Sequence, residues 1–173
     1  PELTGKPIIF PKLNQMLKGI KQGRFYILCA GSGSGKTTLM KELIYPWLLE
    51  EQKAKIAMVF LEEKQKFTQQ AFIGIHNNIP VHEFEENPDK YLGNKKITDS
   101  FKLLLGHKEI AFFEHFGSYN SDQFLRKLTY LAKVKKFDYI FLDHITMITS
   151  GNSTGAESER KDIDILCTKL KEL

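Results

Sequence analysis

The sequence predicts a three-layer α/β fold: a mostly parallel sheet flanked by helices. Three observations predict it. Short apolar runs (residues 25–29, 55–61, 109–113 and 139–142) alternate with amphipathic segments along the chain. These runs are almost continuously apolar, as suits strands covered on both faces, rather than alternating as in a sheet with one wet face. A glycine-rich loop joins the first run to the first amphipathic segment, the strand–loop–helix order of a phosphate-binding loop.

The elements follow in order. Residues 1–24 read as a lead-in or linker segment, and residues 25–173 as the N-terminal part of the α/β domain, with the C-terminal part of the fold expected to lie beyond them. The first strand, 25–29 (Phe-Tyr-Ile-Leu-Cys), places Cys29 in a buried position. A helix is expected from Thr37 to about Glu51, with Leu39, Leu43, Trp47 and Leu48 apolar and Pro46 forcing a kink or an early stop. Residues 55–61 form the second strand, and a helix from about Gln65 to Asn77 uses Phe67, Ala71, Phe72 and Ile75. Residues 78–96, with Pro80, Pro88 and mixed charges, read as a surface excursion. A short helix over 98–105 and a third strand over 109–113 come next. Asn120 or Ser121 caps a helix that runs to about Lys135, with Phe124, Leu128 and Leu131 on one face. The fourth strand, 139–142, precedes a small polar loop over 150–156. A last helix begins near Glu157 and carries an apolar stripe of Ile163, Leu166, Leu170 and Leu173. That stripe is still running at Leu173 and no methionine begins the chain, so a fragment of a longer protein is expected.

Bulk properties exclude several classes. At 173 residues the chain can bury one real core. No apolar run approaches the ~20 residues of a membrane span, and the polar start Pro1-Glu2-Leu3-Thr4 is no signal peptide. A cytoplasmic, non-secreted protein is therefore expected. Two cysteines without metal-type spacing fit reducing conditions, and the five scattered histidines suggest no histidine metal site. The net charge of +4 rests on lysines, with Arg24, Arg126 and Arg160 the only arginines; it permits nucleic-acid contact without requiring it.

The chemistry concentrates in Ala30-Gly31-Ser32-Gly33-Ser34-Gly35-Lys36-Thr37-Thr38. Glycines let successive backbone N–H groups curl around an anion, and the helix N-terminus adds unpaired donors and a positive dipole end. Gly31, Ser32, Gly33, Ser34, Gly35, Lys36, Thr37 and Thr38 are the expected nucleotide-binding residues; Lys36 would reach the β- and γ-phosphates and Thr37 would ligate Mg²⁺. Ala30 replaces the first glycine of the strict pattern. The fourth strand delivers Asp143 to the sheet edge where ligands bind, the place for a second Mg²⁺-supporting group. His144 follows, where many ATPases place a glutamate, so the general base must come from elsewhere. Glu62, after the second strand, is the expected base for the attacking water, whereas Glu63 fits a solvated helix N-terminus. Asn94-Lys95-Lys96-Ile97 lacks the acid of a guanine-reading motif, and the scarce arginines ill suit a small-molecule kinase lid.

With these residues in place, the chain resembles the helicase domain of phage primase-helicases and the mitochondrial Twinkle helicase, within the DnaB-like, RecA-fold replicative helicases. The resemblance runs from about Leu13 to Leu173. Its anchors are Leu17-Lys18-Gly19, the glycine-rich loop, Leu61-Glu62-Glu63, Ile75-His76-Asn77, Leu142-Asp143-His144-Ile145, Glu159-Arg160-Lys161 and Thr168-Lys169-Leu170-Lys171.

The resemblance implies a ring, usually a hexamer, that hydrolyses ATP or another NTP with Mg²⁺ and translocates on single-stranded DNA. Carried over, Lys36 and Glu62 are catalytic, Thr37 and Asp143 serve the metal, and Ser150, Gly151, Asn152, Arg160 and Lys161 would touch DNA. It also implies a phosphate-sensing strand and an arginine finger beyond Leu173. A missing finger costs ~10³–10⁵ in rate in related phosphoryl-transfer enzymes, so this polypeptide alone is expected to be poorly active and is compatible with a monomer. The alternatives are a RecA- or KaiC-type ATPase without unwinding, a nucleoside or nucleotide kinase, and a nucleotide-gated loader.

Overall fold

The computed structural model describes residues 5–51, 54–114, 121–146 and 156–173, the last stretch with side chains from residue 160 onward. Its centre is a parallel sheet of three strands, β1 (Ile56–Phe60), β2 (Ile110–Phe113) and β3 (Tyr139–Asp143), in the order β2-β1-β3. Ile56 pairs with both Ile110 and Tyr139, so the three strands start level and their C-terminal tips share one edge. All five residues of β1 are buried. The two-residue side-chain period splits that strand between two cores. Ile56, Met58 and Phe60 pack with Ile44, Trp47, Leu48, Phe72 and Leu104 on one face. Ala57 and Val59 pack with Phe124, Leu128, Leu131 and Leu166 on the other. A layer on each face explains why the strand sequences carry no polar alternation.

Helix α1 (Pro11–Leu17) precedes α2 (Lys36–Leu48), which leaves the glycine-rich loop. Pro46 cannot donate a backbone hydrogen bond, and α2 ends two residues later with Leu49 N–H on the Pro46 carbonyl at 3.2 Å. Helix α3 (Gln65–Asn77) matches its expected span, and Asn78 closes it in the left-handed conformation. Two one-turn helices, α4 (Glu83–Glu86) and α5 (Pro88–Tyr91), occupy the expected surface excursion. Helix α6 (Lys95–Leu105) starts three residues before its expected beginning because the Asn94 side chain accepts from Lys96 and Ile97 N–H. Helix α7 (Ser121–Thr129) widens into a π-helical turn over Tyr130–Val134. Helix α8 (Ala156–Lys171) buries Leu166 against β1 and α7.

One expected strand is corrected. Among the described residues, 25–29 pair with no strand, and Phe25, Tyr26, Ile27, Leu28 and Cys29 are exposed. A strand exists only as part of a hydrogen-bonded ladder. The apolar run supplies a surface suited to burial, yet the described residues give it no ladder partner. The lead-in is tied down nonetheless: Lys6 and Ile20 exchange backbone hydrogen bonds, Trp47 donates to the Pro7 carbonyl at 2.9 Å, and the Tyr139 hydroxyl donates to the Ile20 carbonyl at 3.3 Å. Among the described residues no helix is long and apolar enough to cross a membrane.

Candidate nucleotide site

The site forms where the glycine-rich loop meets the C-terminal tips of β1 and β3. Gly33 (φ 70) and Gly35 (φ 85) hold left-handed backbone conformations, which a side chain would strain by about 1–2 kcal/mol each. Gly31 has no such φ and open space where a Cβ would sit, so its backbone makes no comparable demand. The loop is closed by its own hydrogen bonds. The Gly31 carbonyl accepts from the Ser34 hydroxyl at 2.6 Å and from the Lys36 ammonium at 2.8 Å, and Lys36 also donates to the Ala30 carbonyl at 3.0 Å. Phosphate oxygens are stronger, charged acceptors for an ammonium than amide carbonyls. A bound triphosphate would therefore draw Lys36 from these two carbonyls.

Thr37, in the first turn of α2, donates its hydroxyl to Oδ2 of Asp143 at the tip of β3. The two residues expected to serve Mg²⁺ thus touch across 106 positions, and Asp143 is buried, with 4% of its surface exposed. A hydroxyl and a carboxylate are hard oxygen donors, and such a sparse pair suits Mg²⁺, which keeps several waters and leans on substrate phosphates. The residues present therefore fit the ion.

The two glutamates after β1 have different fates. Glu63 is held by Lys41, with Nζ at 2.7 Å from Oε1 and 2.9 Å from Oε2, and accepts from the Thr68 hydroxyl. Lys41 is a buried cation of α2, so this pair ties the helix to the loop after β1. The solvated reading of Glu63 is corrected accordingly: its carboxylate balances the buried Lys41. The side chain of Glu62 is 51% exposed and meets Nε2 of His144 through Oε1 at 2.6 Å. The Asp143–His144 peptide bond is cis. The parallel register and these contacts gather Glu62, Asp143 and His144 at one sheet edge, with Thr37 joined to Asp143.

Other sequence-derived residues lie apart or outside view. Ser32 and Thr38 are exposed on the loop and the first turn of α2. Ser150, Gly151 and Asn152 lie outside the described residues. Arg160 and Lys161 are exposed on α8. Sequence reasoning missed Lys41, His144 and Thr68 as parts of the site. Lys41 falls one helical turn beyond Thr37, a spacing that puts both on one face, and this was the available signal.

Residues 5–173 match the family model described as the DnaB-like helicase C terminal domain. The chain belongs to that family. It is 28% identical over 159 residues to a DNA helicase/primase of Enterobacteria phage T3, covering 92% of this chain and 28% of the relative. The chain thus spans little more than a quarter of that relative's length. A solved structure of a DnaB-like replicative helicase, described with its interactions with primase, superposes with a TM-score of 0.73 at 17% identity, over 99% of this chain and 41% of the other. A second, described as an ATPase domain, gives 0.72 at 16% identity, over 98% and 62%. These likenesses establish the fold class: the three-layer, RecA-like α/β architecture with a mostly parallel sheet.

Proposed function

We propose that this domain is the NTP-hydrolysing motor core of a ring-shaped replicative DNA helicase that translocates on single-stranded DNA. Residues 1–24 lead into the motor core at 25–173. The observation that carries the reading is the hydrogen bond from Thr37 to Asp143, with Glu62 on the neighbouring strand tip. It joins the residue after the loop lysine to the acid that ends β3, at the edge where a triphosphate would lie.

In this reading the loop N–H groups from Gly31 to Thr38 and the α2 N-terminus hold the phosphates, and Lys36 turns to the β- and γ-oxygens. Thr37 and Asp143 would hold Mg²⁺, which when bound neutralises charge on the phosphate oxygens. Glu62 accepts a proton from the attacking water, and its exposure leaves that water a route in. Lys41 keeps Glu63 from the same task by engaging its carboxylate. The DNA-facing residues are Ser150, Gly151, Asn152, Arg160 and Lys161, and single-stranded DNA and further copies of the subunit are the partners.

The test is NTP turnover by the full-length protein, with and without single-stranded DNA. Replacing Glu62→Gln is expected to lower kcat by ~10²–10⁴-fold, the range of a general base, while nucleotide binding by fluorescence titration is retained. Wild-type turnover in that variant would sink the assignment. Strand displacement on a forked duplex separates a helicase from an ATPase that does not unwind.

A further inference from the structure

The general base and the residue that follows Asp143 meet directly. Phe60 pairs with Asp143 across β1 and β3, and Leu61 N–H donates to the Asp143 carbonyl at 2.6 Å. The parallel register therefore brings the positions just beyond the strand tips side by side. Glu62 Oε1 and His144 Nε2 lie 2.6 Å apart, and His144 Nδ1 lies 2.5 Å from the Thr146 hydroxyl.

The chemistry of the acceptor fixes the direction of this chain. An ionised carboxylate only accepts, so Nε2 carries the proton in the contact with Glu62. In the neutral ring Nδ1 is then a lone pair, and the Thr146 hydroxyl donates to it. Thr146 orients the ring and the ring orients the carboxylate.

We propose that His144, with Thr146 behind it, is a positioning residue for Glu62: it binds Oε1 and so leaves Oε2 aimed at the attacking water. This rests on the reading of Glu62 as the base. The need for it is physical. A side chain half exposed to water samples several rotamers, and a base displaced by about 1 Å can cost ~10²-fold in rate. Glu63 shows the contrast, since Lys41 and Thr68 fix it within the protein. Glu62 is left accessible and is fixed through one oxygen.

The experiment compares His144→Ala, His144→Gln, Thr146→Val and Glu62→Gln in the full-length protein. His144→Ala is expected to lower kcat ~10–100-fold, with nucleotide KM and directly measured nucleotide affinity unchanged. His144→Gln, which keeps a donor, recovers part of the loss, and Thr146→Val gives a smaller fall than His144→Ala. A readout independent of turnover is the imidazole N–H of His144 in ¹⁵N spectra of the 173-residue chain. A protected, downfield proton on Nε2 is expected, and Glu62→Ala abolishes the protection. Three results overturn the inference while leaving the base intact: wild-type kcat in His144→Ala when Glu62→Gln is inactive, a loss confined to KM, or an Nε2 proton indifferent to Glu62→Ala. Wild-type turnover in Glu62→Gln would instead remove the underlying assignment.

Discussion

The two sides of Lys36 are built by different means. The segment before it, residues 25–35, is held by short-range bonds: Lys21 N–H on the Tyr26 hydroxyl at 3.1 Å, and Ser34 on the Gly31 carbonyl. The helix after it, α2, buries Lys41, Ile44, Trp47 and Leu48. Trp47 packs on Tyr139 and Phe141 of β3 with ring centroids 5.0 and 5.6 Å away. Thr37 and Lys41 reach the strand tips from the same helix. The difference teaches how a phosphate site can be adaptable and fixed together. The glycine-rich turn is closed by local bonds that an anion could replace, while Thr37, Lys41 and the acids they reach are anchored by tertiary packing.

The sharpest way to break this comparison is to truncate one apolar side chain on each side. Trp47→Ala is expected to cost about 3–5 kcal/mol, since it empties a fully buried site and removes the donor to the Pro7 carbonyl. Ile27, with 61% of its surface exposed, is expected to change stability by less than about 0.5 kcal/mol on replacement by Ala. Urea unfolding of both variants checks the pair. Equal losses would mean that residues 25–29 are buried in a ladder and that the two sides do not differ.

A second test addresses how α2 is tied to the acidic edge. Lys41→Met leaves Glu63 without its cation, and breaking a buried pair costs about 3–5 kcal/mol. The Glu63 side chain retains 24% exposure, so solvent reduces the expected loss to about 1–3 kcal/mol. Adding Glu63→Met to Lys41→Met is expected to restore much of it, because two apolar groups leave no unpaired charge. A double-mutant cycle by denaturant unfolding measures the coupling. Additive losses would show that the pair does not couple helix to strand tip.

These contrasts mark what the sequence made legible. Helix α3 was readable from its helical apolar period and strands β1 to β3 from short continuous apolar runs, each bounded by polar residues. The positions of the glycine-rich loop before α2 and of Asp143 at the end of β3 were readable because glycine runs and strand-end acids mark element ends. Residues 25–29 share the strand pattern, yet pairing depends on a neighbouring edge that no local pattern encodes. Helix α6 began early because Asn94 acts as a cap among lysines that looked like loop. The contacts of Glu63 and His144 were hidden for another reason. Glu63 is defined by Lys41, 22 positions away, and His144 by Glu62, across two strands. Composition at either position alone is equally compatible with solvent exposure.

The smallest expected effect lies at the paired short helices α4 and α5. Glu83 accepts from the Tyr91 hydroxyl and from Lys90 at 3.0 Å. These bonds favour the ionised carboxylate, Tyr91 first and then Lys90, and hold its pKa below the ordinary glutamate value of 4.5. The same contacts, with Glu83 foremost, hold the Lys90 ammonium above its ordinary 10.5. The signs follow from linkage. The Glu83 contribution is present above pH 4.5 and is lost as pH falls through its lowered folded value. The Lys90 contribution is present below pH 10.5 and is lost as pH rises through its raised one. Stability from this cluster is therefore flat between those limits and declines outside them. Both groups face solvent, so the decline is slight and shrinks with added salt. Amide exchange across residues 83–91, followed from pH 6 toward pH 3, is expected to lose protection in the wild type. Glu83→Gln should remove the acid-dependent part of that loss, since its amide does not titrate. An unchanged acid profile in that variant would assign the loss to other carboxylates.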